Sequence, residues 1–498
     1  MLEAVLQALS LALAWPNPAL ILIGTLLGLL FGIIPGLSGA LAIALMIPLT
    51  FSMALHEAMF LLLSALGGSA FGGSLSAILI NIPGTAVNAA TAFDGYPLAR
   101  RGKAGVAIGA SAAASALGAM FGLVVLAASI PLLLELVLLL GPPEVFMLTF
   151  LGLTVIALAS QGSMLAALIS GGLGLLLSFH GHVGVVGGTR FTFGSSLLWD
   201  GLPLVPAFIG LFALAGGIEL LLGGRSVVRL PPVAGRLHGG LAAGIAAVFR
   251  HPRVFFSSAG IGVLIGAIPG VGGSVSNFLA YTVARQFSKH PERFGEGEGA
   301  GVIAPEAAND AKDGGALMPT LALGIPGSEA MAILLGAFLL HGIDPGRSLF
   351  TEQLSLVWVL ILALFASNLL TSFIGVALAR QLIRLTVVPV HLYAPAIICL
   401  CLTGAYAVER NPWHAVFALL FGLLGFAMVR LGYSRVALVI GLILGERLEA
   451  AFFQSIQIAR GSALVFWDRP ISLGLFIAIL LALALGIAGS LRRKAPGP

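Results

Sequence analysis

The chain has 498 residues, of which 59% are hydrophobic and 9% are charged, and its mean hydropathy is +1.08. These values exclude an ordinary soluble domain and predict an all-α polytopic membrane protein in a lipid membrane. Apolar runs of about 17 to 25 residues suit a hydrocarbon core about 30 Å thick and give roughly ten to twelve transmembrane spans. The net charge of +5 comes from basic residues scattered between apolar runs, so we expect no nucleic-acid partner.

A first interruption lies early in the chain, where an apolar run stops at GIIPGLSG and resumes directly. Proline removes a backbone donor and clashes with the preceding turn, whereas glycine adopts left-handed backbone geometry. The pair Pro35-Gly36 therefore predicts the end of one helix and a second helix whose first N–H groups are open. A proline kink in one continuous helix stays open as the alternative.

A second interruption is the motif NIPGT at residues 81 to 85. Asn81, Thr85, Asn88 and Thr91 recur at spacings of three or four, which places several of them on neighbouring faces of a short helix entered through the break. The motif DGYP at residues 94 to 97 predicts a turn that ends this helix.

The longest polar stretch runs from Gly299 to Ala330 and combines ionisable residues, prolines and a Gly-Gly pair. Irregular backbone at membrane depth occurs only where protein or a water-filled cavity satisfies its polar groups. We therefore expect this stretch to be broken rather than one smooth helix, and to mark a binding site. Its ionisable and amide residues are Glu306, Asn309, Asp310, Lys312, Asp313 and Glu329.

The second half of the chain repeats both interruptions. The motif GLLFGIIPGLSG at residues 28 to 39 aligns with GVLIGAIPGVGG at residues 262 to 273, and NIPGT aligns with GIPGS at residues 324 to 328. Paired interrupted segments at corresponding positions of two halves indicate a transporter site between repeats. We predict that residues 1–230 form a first membrane repeat and residues 231–498 a second repeat with additional C-terminal spans.

Five segments in this order, GIIPGLSG, GGSLSAILINIPGT, TAFDGYPLARRGKAG, GVIAPEAAND and LALGIPGS, resemble the TctA family, the large membrane subunit of tripartite tricarboxylate transporters. The resemblance covers about residues 18 to 440. It implies a permease, not an enzyme, that imports tricarboxylates or related carboxylates by elevator-like alternating access. The implied coupling ion is sodium or a proton, and no other cofactor is implied.

The resemblance also implies partners and a location. They are a small TctB-like membrane subunit, a periplasmic TctC-like solute-binding protein, and a multi-pass position in a bacterial inner membrane. The sequence leaves a homo-oligomer open.

Two residues depart from the family pattern. Asp310 stands where the family motif PE-x-ANN has its second asparagine, and Glu329 directly follows the second IPGS motif. Both departures add a carboxylate near the expected site.

The type of ligand explains why broken helices are needed. A carboxylate must exchange water for other donors, and each helix N-terminus supplies free N–H groups and about half a positive charge. The predicted ligand-binding residues are Pro83, Gly84, Thr85, Asn88, Pro326, Gly327, Ser328 and Glu329. The predicted residues for the coupling cation are Pro35, Gly36, Leu37, Ser38, Pro269, Gly270, Val271, Gly272, Asn309 and Asp310.

Two other classes of protein stay open as alternatives. An ion or solute channel would use the same membrane architecture. An intramembrane serine protease is suggested by the G-x-S-G string at residues 36 to 39, but it needs a histidine inside a later span. His180 and His182 have no further ligand at metal-binding spacing, so we expect a loop there and no transition-metal site.

Overall fold

The computed structural model describes residues 1–159, 163–182, 187–223 and 239–494. This part of the chain is helical apart from loops and one two-stranded antiparallel hairpin, which confirms the predicted all-α class. The α-helices are α1 Leu2–Leu13, α2 Asn17–Ile33, α3 Gly39–Met46, α4 Leu55–Ile80, α5 Ala89–Leu98, α6 Ala104–Leu139, α7 Pro142–Ala159, α8 Met164–Ser178, α9 Leu204–Phe208, α10 Ala215–Gly223, α11 Leu241–Arg250, α12 Pro252–Gly266, α13 Gly272–Gln286, α14 Gly299–Leu323, α15 Glu329–Leu340, α16 Arg347–Thr351, α17 Leu354–Leu385, α18 Val390–Glu409, α19 Pro412–Arg430, α20 Arg435–Ile458, α21 Val465–Asp468 and α22 Pro470–Lys494. The strands are β1 Gly181–His182 and β2 Thr189–Arg190.

Six helical segments in the described ranges are long and apolar enough to cross a membrane, and a bent pair formed by α1 and α2 would make a seventh. The sequence predicts more spans because it counts apolar runs that the structure divides into shorter helices, such as α3, α12 and α15. The six segments are Leu55–Ile80, Ala86–Leu139, Leu204–Leu222, Leu354–Leu385, Val390–Glu409 and Pro412–Arg430.

Helices α2 and α4 pack along each other at very close range. A Cβ atom on Gly28 would overlap the carbonyl oxygen of Ala65, and one on Gly32 would overlap that of Ser69. Small residues let two backbones approach in this way, and such packing stabilises helix pairs in lipid. The glycine content of the sequence thus serves helix contact as well as helix breaking.

The same pattern of contacts recurs between α12 and α14 in the second half. Gly262 faces the carbonyl of Ala308 and Gly266 faces that of Lys312, with the same spacing of four residues on both helices. The aligned motifs of the two halves therefore make matching contacts. The extents of the two repeats stay a prediction, and the boundary at residues 230 and 231 lies outside the described residues.

The polar stretch from Gly299 to Ala330 is broken as expected, but only at residues 324 to 328. Residues 299 to 323 form a single continuous helix that includes Pro305 and Pro319, which corrects the expectation for this part. Hydrophobic neighbours and hydroxyl groups bury it on nearly every side, so its polar residues need no unwound backbone. Gly314 and Gly315 do not break it either. They lie against the backbones of Gly122 and Val263 and allow α6 and α12 to pack closely.

The predicted turn at residues 94 to 97 is also wrong, since α5 runs through it to Leu98. Aspartate favours a turn when its carboxylate bonds its own backbone. Here the buried Asp94 carboxylate accepts the N–H groups of Gly295, Gly297 and Glu298 at 2.7 to 2.9 Å, and the hydroxyl of Tyr281 at 2.8 Å. Asp94 therefore fastens the polar loop before α14 onto α5.

Candidate functional site

The first Pro-Gly break separates α2 from α3 as predicted. Helix α2 ends at Ile33, Gly36 takes a left-handed conformation with φ +90°, and α3 begins at Gly39. Ser38 is the N-cap of α3, and its Oγ accepts the N–H of Leu41 at 3.2 Å. Leu37 is buried, whereas Pro35 and Gly36 are partly or fully exposed.

The second break of the first half follows α4. That helix ends at Asn81 in a left-handed conformation, and a 3₁₀ turn over Ala86–Asn88 leads directly into α5. The N–H of Gly84 donates to the carbonyl of Gly73 at 3.3 Å, so this donor is already used within the protein. A Cβ on Gly84 would overlap the carbonyl of Gly32, which brings this break against the end of α2. Pro83 and Thr85 remain partly exposed.

Asn88 is wholly engaged inside the protein. Its Nδ2 donates to Ser74 Oγ at 2.8 Å and to the carbonyl of Ala70 at 3.0 Å, and its Oδ1 accepts the hydroxyl of Thr85 at 2.7 Å. Asn88 therefore fixes Thr85 relative to α4. We call residues 85 to 88 the first arm.

The second half contains the corresponding pair of breaks. Helix α12 ends at Gly266, and α13 begins at Gly272 after Pro269, Gly270 and Val271, with φ +76° at Gly270 and +77° at Gly272. Helix α14 ends at Leu323 and is followed by Gly324 in a left-handed conformation, and α15 begins after Ser328, whose Oγ accepts the N–H of Met331 at 3.3 Å.

The two halves meet at these breaks. The amide Nδ2 of Asn277 on α13 donates to the carbonyl of Val87 in the first arm at 2.8 Å. Reciprocally, α15 packs against α3, the helix that follows the first break. Pro326 and Gly327 are buried, and a Cβ on Gly327 would lie 2.7 Å from the carbonyl oxygen of Gly266, just as Gly84 faces Gly32. Each Ile-Pro-Gly break thus lies against the end of the helix before its own half's Pro-Gly break.

A buried carboxylate joins the first arm to the centre of the protein. The Glu306 side chain is fully buried, and it accepts hydroxyls from Ser74 of α4 at 2.7 Å, Thr91 of α5 at 2.5 Å and Ser111 of α6 at 2.8 Å. Since Ser74 also accepts from Asn88, a continuous chain of hydrogen bonds runs from Thr85 to Glu306. Sequence reasoning singled out Glu306 as polar but did not assign it a role.

The predicted cation residues on α14 lie one helical turn further along. Asp310 accepts the hydroxyl of Ser115, which follows Ser111 by one turn of α6. Within the described part of the chain, Oδ1 of Asp310 and Nδ2 of Asn309 are buried and have no hydrogen-bond partner. Buried polar atoms normally have partners, so these two are open to a ligand or water. Asp310 thus contacts α6 through Ser115, and the combination of these two residues with the Pro-Gly breaks in one cation site stays a prediction.

Comparison with known proteins identifies the family. The chain matches the model of the tripartite tricarboxylate transporter TctA family over residues 19–440. This chain belongs to the TctA family. A TctA-family protein is a component of a tricarboxylate transporter, and the resemblance seen in the motifs is confirmed.

Two relatives of this TctA-family chain come from Agrobacterium vitis. One is an uncharacterized 52.8 kDa protein in the TAR-I ttuC' 3' region, which is 33% identical over 455 residues that cover 89% of this chain and 88% of the relative. The other is an uncharacterized protein in the TAR-II ttuC' 3' region, which is 34% identical over 233 residues that cover 47% of this chain and 96% of the relative. No solved structure matches the chain at a significant level.

Glu329, the carboxylate that departs from the TctA pattern, has a positive partner that sequence reasoning missed. It is the first residue of α15, and its Oε1 lies 3.5 Å from Nη2 of Arg435 at the start of α20. Arg435 also donates to the carbonyl of Leu211 at 3.2 Å and lies over the ring of Phe212. An ion pair at this break leaves the local charge near zero, so an ionised Glu329 does not oppose an anionic ligand as strongly as the sequence suggests.

The residues that suggested a serine protease or a metal site make ordinary structural contacts. Ser38 caps α3, and in the described ranges its side chain forms no hydrogen bond with a histidine. Nδ1 of His180 lies 3.1 Å from the carbonyl of Leu177, and the described residues contain no group of three side chains that could hold a metal ion.

Proposed function

We propose that this TctA-family chain is the permease subunit of a secondary active transporter that imports tricarboxylates or related carboxylates. The observation that carries the proposal is the pair of Ile-Pro-Gly breaks, each followed by a hydroxyl residue, Thr85 or Ser328, that begins the next helical segment. Broken helices of this kind present helix N-termini to anionic groups in secondary transporters. The same chemistry suits the carboxylates that the family name specifies.

The ligand site that we propose comprises Pro83, Gly84, Thr85, Pro326, Gly327 and Ser328. Asn88 positions Thr85, and Glu329 lies at the edge of the site as the partner of Arg435. The hydrogen bonds of Asn88 support this division, because both of its amide hydrogens are used within the protein.

The negative charge of the substrate requires coupling to a cation. A carboxylate that enters against an inside-negative potential is opposed by about 2.3 kcal/mol per charge per 100 mV, so sodium ions or protons must travel with it. We propose that Asp310 binds the cation through Oδ1, which is buried without a partner in the described part of the chain, and that the neighbouring Asn309 contributes its amide oxygen. The unwound segments Pro35–Ser38 and Pro269–Gly272 would contribute backbone oxygens as the two halves move by an elevator-like mechanism.

Partners and location complete the proposal. A TctB-like membrane subunit and a periplasmic TctC-like binding protein would act with this chain in a bacterial inner membrane, and the binding protein would deliver the carboxylate. The proposal rests here on family membership, since TctA proteins belong to tripartite systems.

The test is uptake of radiolabelled citrate by liposomes that contain the chain alone or together with both partners. We expect saturable uptake with the partners and little without the binding protein. Rapid, saturable uptake by the chain alone would contradict the tripartite part of the proposal. Citrate, succinate and acetate should be compared, and transport of none of them would contradict the substrate class.

A further inference from the structure

The two halves differ at one position where their contacts otherwise match. In the first half, the side chain of Ser69 lies against Gly39 at the start of α3. In the second half, the position that corresponds to Ser69 is Lys312, and its side chain lies against Gly273 at the start of α13. The repeat therefore places a hydroxyl at one Pro-Gly break and an ammonium group at the other.

Three elements meet at the Lys312 side chain. A Cβ on Gly273 would lie 2.8 Å from Cδ of Lys312 and 2.9 Å from Cγ1 of Val87. Lys312 thus joins α14, the beginning of α13 and the first arm, whose Thr85 belongs to the proposed ligand site. Its side chain is 13% exposed, so the charge is largely removed from bulk water.

The Lys312 ammonium is only partly satisfied. Among the described residues, its Nζ donates to Oδ1 of Asp313 at 2.7 Å, which uses one of the three donors of an ammonium group. The side chain of Asp313 is 7% exposed. The ammonium group of Lys312 therefore keeps donors for a second acceptor.

Further polar groups without partners lie on the face of α13 that is in contact with the first arm. In the described ranges, Oγ of Ser276 and Oδ1 of Asn277 are fully buried and form no hydrogen bond, although Nδ2 of Asn277 holds the first arm. Unsatisfied buried polar atoms cost free energy, so a native protein keeps them chiefly where a ligand or water completes them. A bound carboxylate with a hydroxyl substituent could accept from Ser276 and donate to Asn277.

We propose that Lys312 binds a carboxylate group of the transported anion, between the first arm and the start of α13, while the negative charge of Asp313 limits how tightly the anion is held. This assignment rests on the proposed function and adds ammonium donors that the helix N-termini alone do not supply. It also predicts that ligand affinity depends on the charge balance of the Lys312–Asp313 pair.

The competing explanation is that Lys312 and Asp313 only stabilise each other. Removing one member of a buried pair leaves an uncompensated charge, whereas replacing both members by neutral residues is often tolerated. The double variant Lys312→Met/Asp313→Asn therefore separates the two explanations. Asp313→Asn alone provides a second test, because it frees the ammonium group to bind an anion.

The experiment measures how citrate raises the melting temperature of the purified full-length chain in detergent, with Lys289→Met as the control for loss of an exposed lysine. We expect the apparent Kd for citrate to rise about tenfold to a hundredfold in the double variant, as for loss of a charged hydrogen bond. The apparent Kd for citrate should fall in Asp313→Asn and stay unchanged in the Lys289→Met control.

Two results would overturn the assignment: a double variant that binds citrate with wild-type affinity, or an Asp313→Asn variant whose affinity is unchanged or weaker. Failure of the proposed function looks different, because the wild-type chain itself would then show no stabilisation by citrate, succinate or acetate.

Discussion

Glu306 allows a quantitative test of how the first arm is held. The substitution Glu306→Ala removes the acceptor for three hydroxyl groups on α4, α5 and α6. Ser74 has a second acceptor, the carbonyl of Ala70 at 3.4 Å, but Thr91 and Ser111 have none among the described residues. Each buried hydroxyl left without a partner costs about 1–3 kcal/mol, so the two together should lower the free energy of unfolding by roughly 2–6 kcal/mol.

The variant Glu306→Gln should lose much less stability. Glutamine has nearly the same shape and keeps one carbonyl oxygen, and hydroxyl groups can rotate to accept from its amide. The expected order of stability is therefore wild type, Glu306→Gln and Glu306→Ala. Neither variant can ionise at this position, so a difference between them reports hydrogen bonding and side-chain packing rather than charge.

Thermal unfolding of the purified chain in detergent measures this order. Glu296→Ala is a suitable control, because Glu296 is an exposed carboxylate whose ion pair with Arg101 spans 3.7 Å at the surface. Such exposed pairs contribute only about 0–1 kcal/mol. If Glu306→Ala melts at the same temperature as Glu296→Ala, the hydroxyl groups do not depend on Glu306 and the reasoning is refuted.

Three further predictions concern transport. Gly84→Val should abolish citrate uptake, since a side chain there would force α4 and the first arm away from α2 at a strain of about 1–3 kcal/mol. The control Gly260→Val, where a side chain meets open space, should transport normally, and equal uptake by the two variants would contradict this prediction. Asp310→Asn should weaken the apparent affinity for the coupling ion about tenfold, as loss of a charged interaction predicts, and an unchanged dependence on sodium and pH would show that the cation binds elsewhere. Glu329→Gln should lower the KM for citrate about twofold to fivefold because it releases Arg435 from a partly exposed pair, and a raised KM would mean that Glu329 itself helps to bind the ligand.

Local backbone chemistry accounts for what the sequence predicts well. Proline and glycine act on their own residue and its nearest neighbours, so the ends of α2, α4, α12 and α14 could be located from motifs alone. The repeat was equally visible, because the glycines that face Ala65 and Ala308 occupy aligned positions.

Long-range partners account for what the sequence does not predict. Helix α14 was expected to break because its carboxylates are costly in an apolar environment, yet the hydroxyls that satisfy Glu306 come from residues at least 195 positions away. The same holds for Asp94, whose partners begin 187 residues later, and for Arg435, which is 106 residues from Glu329. Serine and threonine occur throughout the chain, so no local pattern marks the few that contact a carboxylate.

The most direct test of the account is concentrative uptake. Liposomes that contain the chain, its small membrane subunit and its binding protein are given radiolabelled citrate under an imposed inward gradient of sodium or protons, and the internal concentration is measured over time. The account predicts saturable accumulation above the external concentration, which collapses when the ion gradient is removed. Citrate that only equilibrates across the membrane, without saturation and independently of the ion gradient, would show a channel and contradict the account.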